Sequence, residues 1–246
     1  MSGHANSHKA IFFALGANFA IFVAKAVAAF ITGSGAMLAE SIHSLADCGN
    51  QLLLLFGMRQ SRRPANEEHP LGWGKALYFW SFLVAILLFS VGGVFSIYEG
   101  VHKLGHPEAL QKPWIAVAVL IFGIIVEGIS FVTCVKEINK VRRGRSMWRW
   151  FRDSRSSELI VIFGEDLAAL LGLTFALVAV VLSWITGNPL YDAVGTLAIG
   201  ALLMVVAVMV AWEVKELLIG QGVDPLTKQR IIDFIESQEE VDKVYN

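Results

Sequence analysis

Apolar stretches of some twenty to twenty-eight residues alternate with short polar ones along most of the chain, and this happens six times. The runs are Ala10–Thr32, Ala36–Met58, Ala76–Tyr98, Trp114–Val135, Glu158–Ile185 and Leu190–Ala211. Each reaches the roughly 20 residues that a helix needs to cross hydrocarbon. They are too long and too uniformly apolar for transmembrane strands. The pattern predicts an all-α membrane protein with six transmembrane helices. It divides the chain into a polar tail (1–9), a membrane domain (10–217) and a closing segment of different character (218–246).

The polar breaks are readable as turns. Gly33-Ser34-Gly35 joins the first two spans, and Gly187-Asn188-Pro189 joins the last two. The loop after the second span carries Arg59, Arg62, Arg63 and Lys75. The one after the fourth carries Lys136, Lys140, Arg142, Arg143, Arg145, Arg149, Arg152 and Arg155. Basic residues collect on the cytoplasmic side, so both termini are expected in the cytoplasm. Met147-Trp148-Arg149-Trp150-Phe151-Arg152 interleaves aromatic and basic residues, as an interfacial anchor does. Beyond Trp212, Gly220-Gln221-Gly222 reads as a hinge. Asp224 and Pro225 fit the N-cap and first position of a helix. Ile231, Ile232 and Ile235 would stripe that helix, and Val241 and Val244 would open a strand. One helix and half a strand cannot bury a core, so the segment reads as the start of a soluble domain, cut short.

Composition agrees with a membrane protein. Of 246 residues, 55% are hydrophobic and 17% charged, against about 25% charged in soluble domains. The net charge of −1 gives no reason to expect a nucleic-acid partner. The two cysteines, Cys48 and Cys134, lie within apolar runs and give no disulfide framework. The apolar run entering from the tail has no small-residue cleavage site and reads as a retained span.

Candidate chemistry begins in the second span, at Glu40-Ser41-Ile42-His43-Ser44-Leu45-Ala46-Asp47. His43 and Asp47 are four residues apart, so on a helix they share a face one turn apart. An ionisable residue within a span is a functional-site hypothesis by default. An imidazole and a carboxylate so placed can give two ligands to one divalent metal. The plainer reading is a hydrogen bond between helices. The fourth span carries Glu127, and the fifth carries Glu165 and Asp166. Two carboxylates in hydrocarbon cost roughly 2.5–3.5 kcal/mol each, which something must offset. Counted from the cytoplasmic ends, Asp47 lies about 18 Å deep and Asp166 about 12 Å, near enough to share one ion. Glu127 reads equally as a proton carrier or as the ion-pair partner of Lys25 in the first span.

Gly33-Ser34, Ala36 to Glu40, His43-Ser44, Asp47 and Asn50-Gln51 resemble the second-span signature of the cation diffusion facilitators. His69-Pro70-Leu71-Gly72-Trp73-Gly74-Lys75 resembles that family's lead-in to its third span. The likeness runs from about Lys9 to Gly222. It implies six spans and a cytoplasmic domain of α/β ferredoxin-like type, here cut short. It also implies a homodimer that moves divalent cations, most often zinc, out of the cytoplasm against protons. Many members place a second His/Asp-x-x-x-Asp pair in the fifth span. Aligning on Gly172 puts Asp166 at the metal-binding aspartate and Ile162 where its partner would stand. The resemblance therefore implies His43, Asp47 and Asp166 as ligands, with Glu165 or water in the fourth position, as in a subgroup carrying a Glu-Asp pair. Losing a nitrogen ligand would shift preference towards harder ions such as manganese or iron.

The expected function is cation transport and not enzyme catalysis. The cation (zinc first, then manganese, iron or cobalt) is a substrate and not a prosthetic group. A membrane-embedded metal-dependent hydrolase using the same three residues is the alternative, although the chain has no His-Glu-x-x-His.

Overall fold

The computed structural model describes residues 3–142, 144–223, 225–238, 241 and 244, with side chains from residue 15 onward except those of 17, 225 and 226. Six long helices dominate: Gly3–Thr32, Gly35–Ser61, Ala76–Gly105, Pro113–Val141, Ser157–Thr186 and Leu190–Ile219. A short helix, Met147–Asp153, sits in the basic loop before the fifth long helix, and Pro225–Glu236 forms a tail helix. The third, fourth, fifth and sixth long helices are each long and apolar enough to cross a membrane. The first is apolar over Asn18–Thr32. In the second, Glu40, His43, Asp47, Asn50 and Gln51 interrupt the apolar run.

Each element lies where the pattern put it, but most extend further. Helix begins at Gly3 and not at Ala10, since neither Pro nor Gly occurs between His4 and Leu15. The third helix passes Tyr98 and ends at Gly105, with His106 as cap and Pro107 following. Polar Glu99, His102 and Lys103 do not stop a helix, whereas proline two residues on does. The sixth continues past Ala211 through Glu213, Lys215 and Glu216 to Ile219, where Gly220 takes φ 120° and ends it.

Two expectations change. Trp150 and Phe151 of the loop helix are buried against Phe163, and Trp148 alone of these aromatics faces outward. About two turns of helix divide the interleaved sequence into an inner and an outer face, so most of the supposed anchor is packing. In the tail, no strand forms among the described residues; Val241 and Val244 are irregular, and the intervening residues lie outside that set. Asp224, expected as N-cap, also lies outside it, although the helix does begin at Pro225. Ile231 and Phe234 on that helix are exposed. Among the described residues the tail holds one helix, Pro225–Glu236.

The core is a seam of buried side chains from the second, third, fifth and sixth helices, including Met37, Leu88, Leu173, Ile199 and Leu203. The first and fourth helices pack on its flank, against the second and fifth. The third helix changes to a π-helical stretch over Leu88–Val94, beside the second helix. Such stretches are rare and often lie at functional sites.

A candidate cation site between the second, fourth and fifth helices

The second helix is fixed at its start. Gly33 takes φ 67°, a left-handed conformation that suits glycine. Ser34 then caps the helix, its hydroxyl accepting from the Met37 amide at 3.1 Å. Asp192, in the first turn of the sixth helix, closes over that end. It accepts from the Ser34 hydroxyl at 2.5 Å, the Gly35 amide at 2.6 Å and the Ala36 amide at 3.4 Å. A carboxylate at a helix N-terminus meets both the free N–H groups and the positive end of the dipole. The register of everything downstream on the second helix is set by this clamp.

From there a polar stripe runs down one face: Glu40, His43, Asp47 and Asn50, at intervals of three and four residues. Asp47 lines a cavity of about 80 Å³ together with Asn18 and Gln51, Glu127 and Ser130 of the fourth helix, and Glu165 and Asp166 of the fifth. Glu165 Oε1 accepts from the Asn50 amide at 2.5 Å. The Ser130 hydroxyl donates to Asp166 at 3.3–3.4 Å. Asp47 Oδ1 is buried and has no hydrogen-bond partner in the structure. Four carboxylates face one small space, without a basic side chain among its lining residues.

His43 stands behind Asp47 and is not part of the cavity wall. Its Nδ1 is 3.7 Å from Asp47 Oδ1, too far for a hydrogen bond. The ring is fully buried and neither nitrogen has a partner. It lies against the π-helical stretch, with Gly92 beside Nδ1. Among the described residues no three His, Cys, Asp or Glu side chains stand together closely enough to hold a metal ion. The structure therefore gathers Asp47, Glu165 and Asp166 around one cavity, adds Glu127, and keeps His43 one turn away, its Nδ1 3.7 Å from Asp47 Oδ1.

Lys25 is paired, but not with Glu127. Its ammonium donates to Glu40 Oε2 at 3.2 Å and to the Ser44 hydroxyl at 2.8 Å, all three side chains being buried. This leaves Glu127 facing the cavity. Sequence reasoning assigned no role to Glu40, Asn50, Ser130 or Asp192. The signals for two of them were present. Glu40 is one turn before His43 on the same face, and Asp192 follows Asn188-Pro189 at a helix start. Nothing in the sequence joins Asn50 to Glu165 or Ser130 to Asp166, because those pairs form only when helices pack. Ile162, one turn before Asp166, is 37% exposed and points away from the core.

Comparison with known proteins identifies the class. The cation efflux transmembrane domain matches residues 11–219, and the chain belongs to that family, the cation diffusion facilitators. Its relatives include the proton-coupled zinc antiporter SLC30A9, mitochondrial, of Xenopus laevis, 34% identical over 240 residues (97% of this chain and 43% of the relative). Metal tolerance protein C4 of Arabidopsis thaliana is 29% identical over 243 residues, covering 98% of this chain and 53% of that one. The cation-efflux pump FieF of Yersinia pestis (strain Pestoides F) is 28% identical over 218 residues, or 88% and 67%. The chain spans about two-fifths of the length of the zinc antiporters and about half that of the plant relative.

Proposed function

We propose that this chain is the membrane part of a divalent-cation exporter, binding its cation at Asp47, Asp166, Glu165 and His43 and exchanging it for protons. The observation that carries the reading is the acidic cavity. Asp47, Glu165, Asp166 and Glu127 converge inside an apolar bundle. Glu165 is buried and the other three are half-buried, and gathering four carboxylates there is costly unless a cation offsets them. Zinc is the first candidate, with manganese, iron and cobalt behind it. Relatives include a proton-coupled zinc antiporter and a cation-efflux pump, which supports the reading.

In this reading all six long helices cross the bilayer and both termini face the cytoplasm. The protein acts as a homodimer, and the tail helix opens a cytoplasmic domain of ferredoxin-like type. A hydrated cation enters the cavity, and carboxylates replace its water. His43 swings in from behind Asp47, for which its two unpartnered nitrogens leave it free. Metal and protons compete for the same groups, because ligands must be deprotonated to bind. Protons on the far side then displace the metal. The hydrolase alternative gains nothing from the family, which is one of cation efflux.

The test is uptake into proteoliposomes, metal by metal, with and without a pH gradient. Zinc uptake accelerated by an opposing proton gradient is expected. Absence of flux for every divalent cation tried, by protein correctly inserted, would contradict the proposal.

A further inference from the structure

The Lys25–Glu40 pair takes no part in the cavity as described, yet the bundle is shaped around it. Glu40 and Lys25 are 0% and 1% exposed. Glu40 Oε1 is buried and has no hydrogen-bond partner in the structure. It lies where a Cβ at position 172 would stand, so Gly172 of the fifth helix makes its room. Glu40 and His43 are helix neighbours at i and i+3, and both His43 nitrogens are unpartnered. Ser44, the other acceptor of Lys25, lines a void of about 10 Å³ together with Asn18, Ile21, Asp47 and Glu127. The void touches the residues of the acidic cavity on one side and the residue holding Lys25 on the other.

A buried ion pair is a weak source of stability, because its desolvation offsets most of its attraction. This pair is also incomplete, since one carboxylate oxygen has nothing to accept from. A divalent cation usually takes four or more ligands, and no three candidate ligands stand together among the described residues. Glu40, with a spare oxygen, stands one turn before His43 and two turns before Asp47.

Resting on the site reading above, we propose that Lys25 is a tethered counter-cation holding Glu40 in reserve as a further ligand. When a divalent cation arrives at His43 and Asp47, it takes over the Glu40 carboxylate, and the Lys25 ammonium stays on Ser44. When protons displace the cation, Lys25 recaptures Glu40. The ion pair and the metal complex are two uses of one carboxylate, and Lys25 keeps it from being trapped by metal or left uncompensated.

The experiment is calorimetric titration of zinc into the full chain in detergent micelles, with cobalt(II) spectra alongside and thermal unfolding as a check on folding. Lys25→Gln frees Glu40 and is expected to tighten zinc binding by about tenfold or more, equivalent to about 1.4 kcal/mol. It should also alter the cobalt ligand-field bands. Adding Glu40→Gln should abolish both effects. Removing a positive charge could tighten binding without a new ligand, but it would leave the cobalt bands unchanged. Ser44→Ala removes the alternative holder of Lys25 and is expected to weaken zinc binding several-fold. A folded Lys25→Gln protein with wild-type affinity or unchanged bands overturns the proposal. If that variant does not fold, Ser44→Ala decides: wild-type affinity overturns it, and weakened affinity with intact folding supports it. Asp47→Ala separates the two layers. Loss of zinc binding there leaves the site reading standing whatever Lys25 does. Unchanged binding removes that reading and this inference with it.

Discussion

Asp192 and Asp47 are both aspartates enclosed by helices, and they are treated in opposite ways. Asp192 accepts three hydrogen bonds, two from backbone amides at the start of a helix. Its charge is used up in holding two helices together. Asp47 has an oxygen with no partner, faces three more carboxylates across a cavity, and has an unpaired imidazole behind it. Burial alone does not separate a structural carboxylate from one reserved for a ligand. The supply of donors does. An unpartnered buried polar group costs roughly 1–3 kcal/mol, so a cluster of them marks a place where something is meant to bind.

That contrast can be broken by substitution. Asp47→Ala and Asp166→Ala are each expected to abolish metal transport while leaving the protein folded and inserted. Each removes a charge from the cation's shell; Asp47 Oδ1 gives up no hydrogen bond, and Asp166 gives up only the long contacts from Ser130. Asp192→Ala should do the reverse, lowering thermal stability by about 1–3 kcal/mol as the Ser34 and Gly35 donors lose their acceptor. Flux assays with unfolding curves for all three variants would show the crossing. Near-normal transport by Asp47→Ala, or a collapse of its fold, would erase the distinction.

Glu165 lies between the two extremes, since one oxygen is held by Asn50 and the side chain still lines the cavity. Glu165→Gln should weaken metal binding if the carboxylate is a ligand, because an amide carries no charge to offset the cation. If Glu165 instead carries protons, affinity should survive and the dependence of flux on the pH gradient should vanish, because glutamine cannot take up a proton. Titration at two pH values together with flux measurements distinguishes these. Binding and flux both equal to wild type would place Glu165 with Asp192, among the structural carboxylates.

A smaller effect is expected at Ile162. Ile162→His would add an imidazole one turn from Asp166 and move preference from manganese towards zinc. Its exposure means that the new ring must turn inward to reach the cation, so the change in relative rates should be modest. Competition between the two metals in proteoliposomes would read it. An unchanged ratio would mean that position 162 does not face the site.

Much of this was legible in the sequence, and the reasons for the rest are specific. Long apolar runs located every long helix, because length and composition alone decide whether a helix suits a bilayer. Helix ends were missed where polar residues such as Glu99, Lys103 and Glu216 continue a helix beyond its apolar part. The His43–Asp47 spacing picked out the face that carries Asp47, which lines the cavity with Asp166, and the depth count had put those two aspartates within about 6 Å of one level. Pairing between helices was not legible. Lys25 had two carboxylates within plausible reach, Glu40 and Glu127, and only packing selects the first. Asp192 looked like any polar residue at a helix start until the second helix was placed against it.

The central claim is that the acidic cavity, with His43 drawn in, holds the cation through oxygen and nitrogen. X-ray absorption spectroscopy on the zinc-loaded chain tests this most directly. The account predicts an oxygen and nitrogen shell at about 2.0–2.2 Å. It should carry the outer-shell scattering of one imidazole, which disappears in His43→Ala, and Asp47→Ala should hold no zinc at all. A sulfur shell at about 2.3 Å, placing the ion at Cys48 or Cys134, would contradict it. So would an unchanged spectrum in Asp47→Ala.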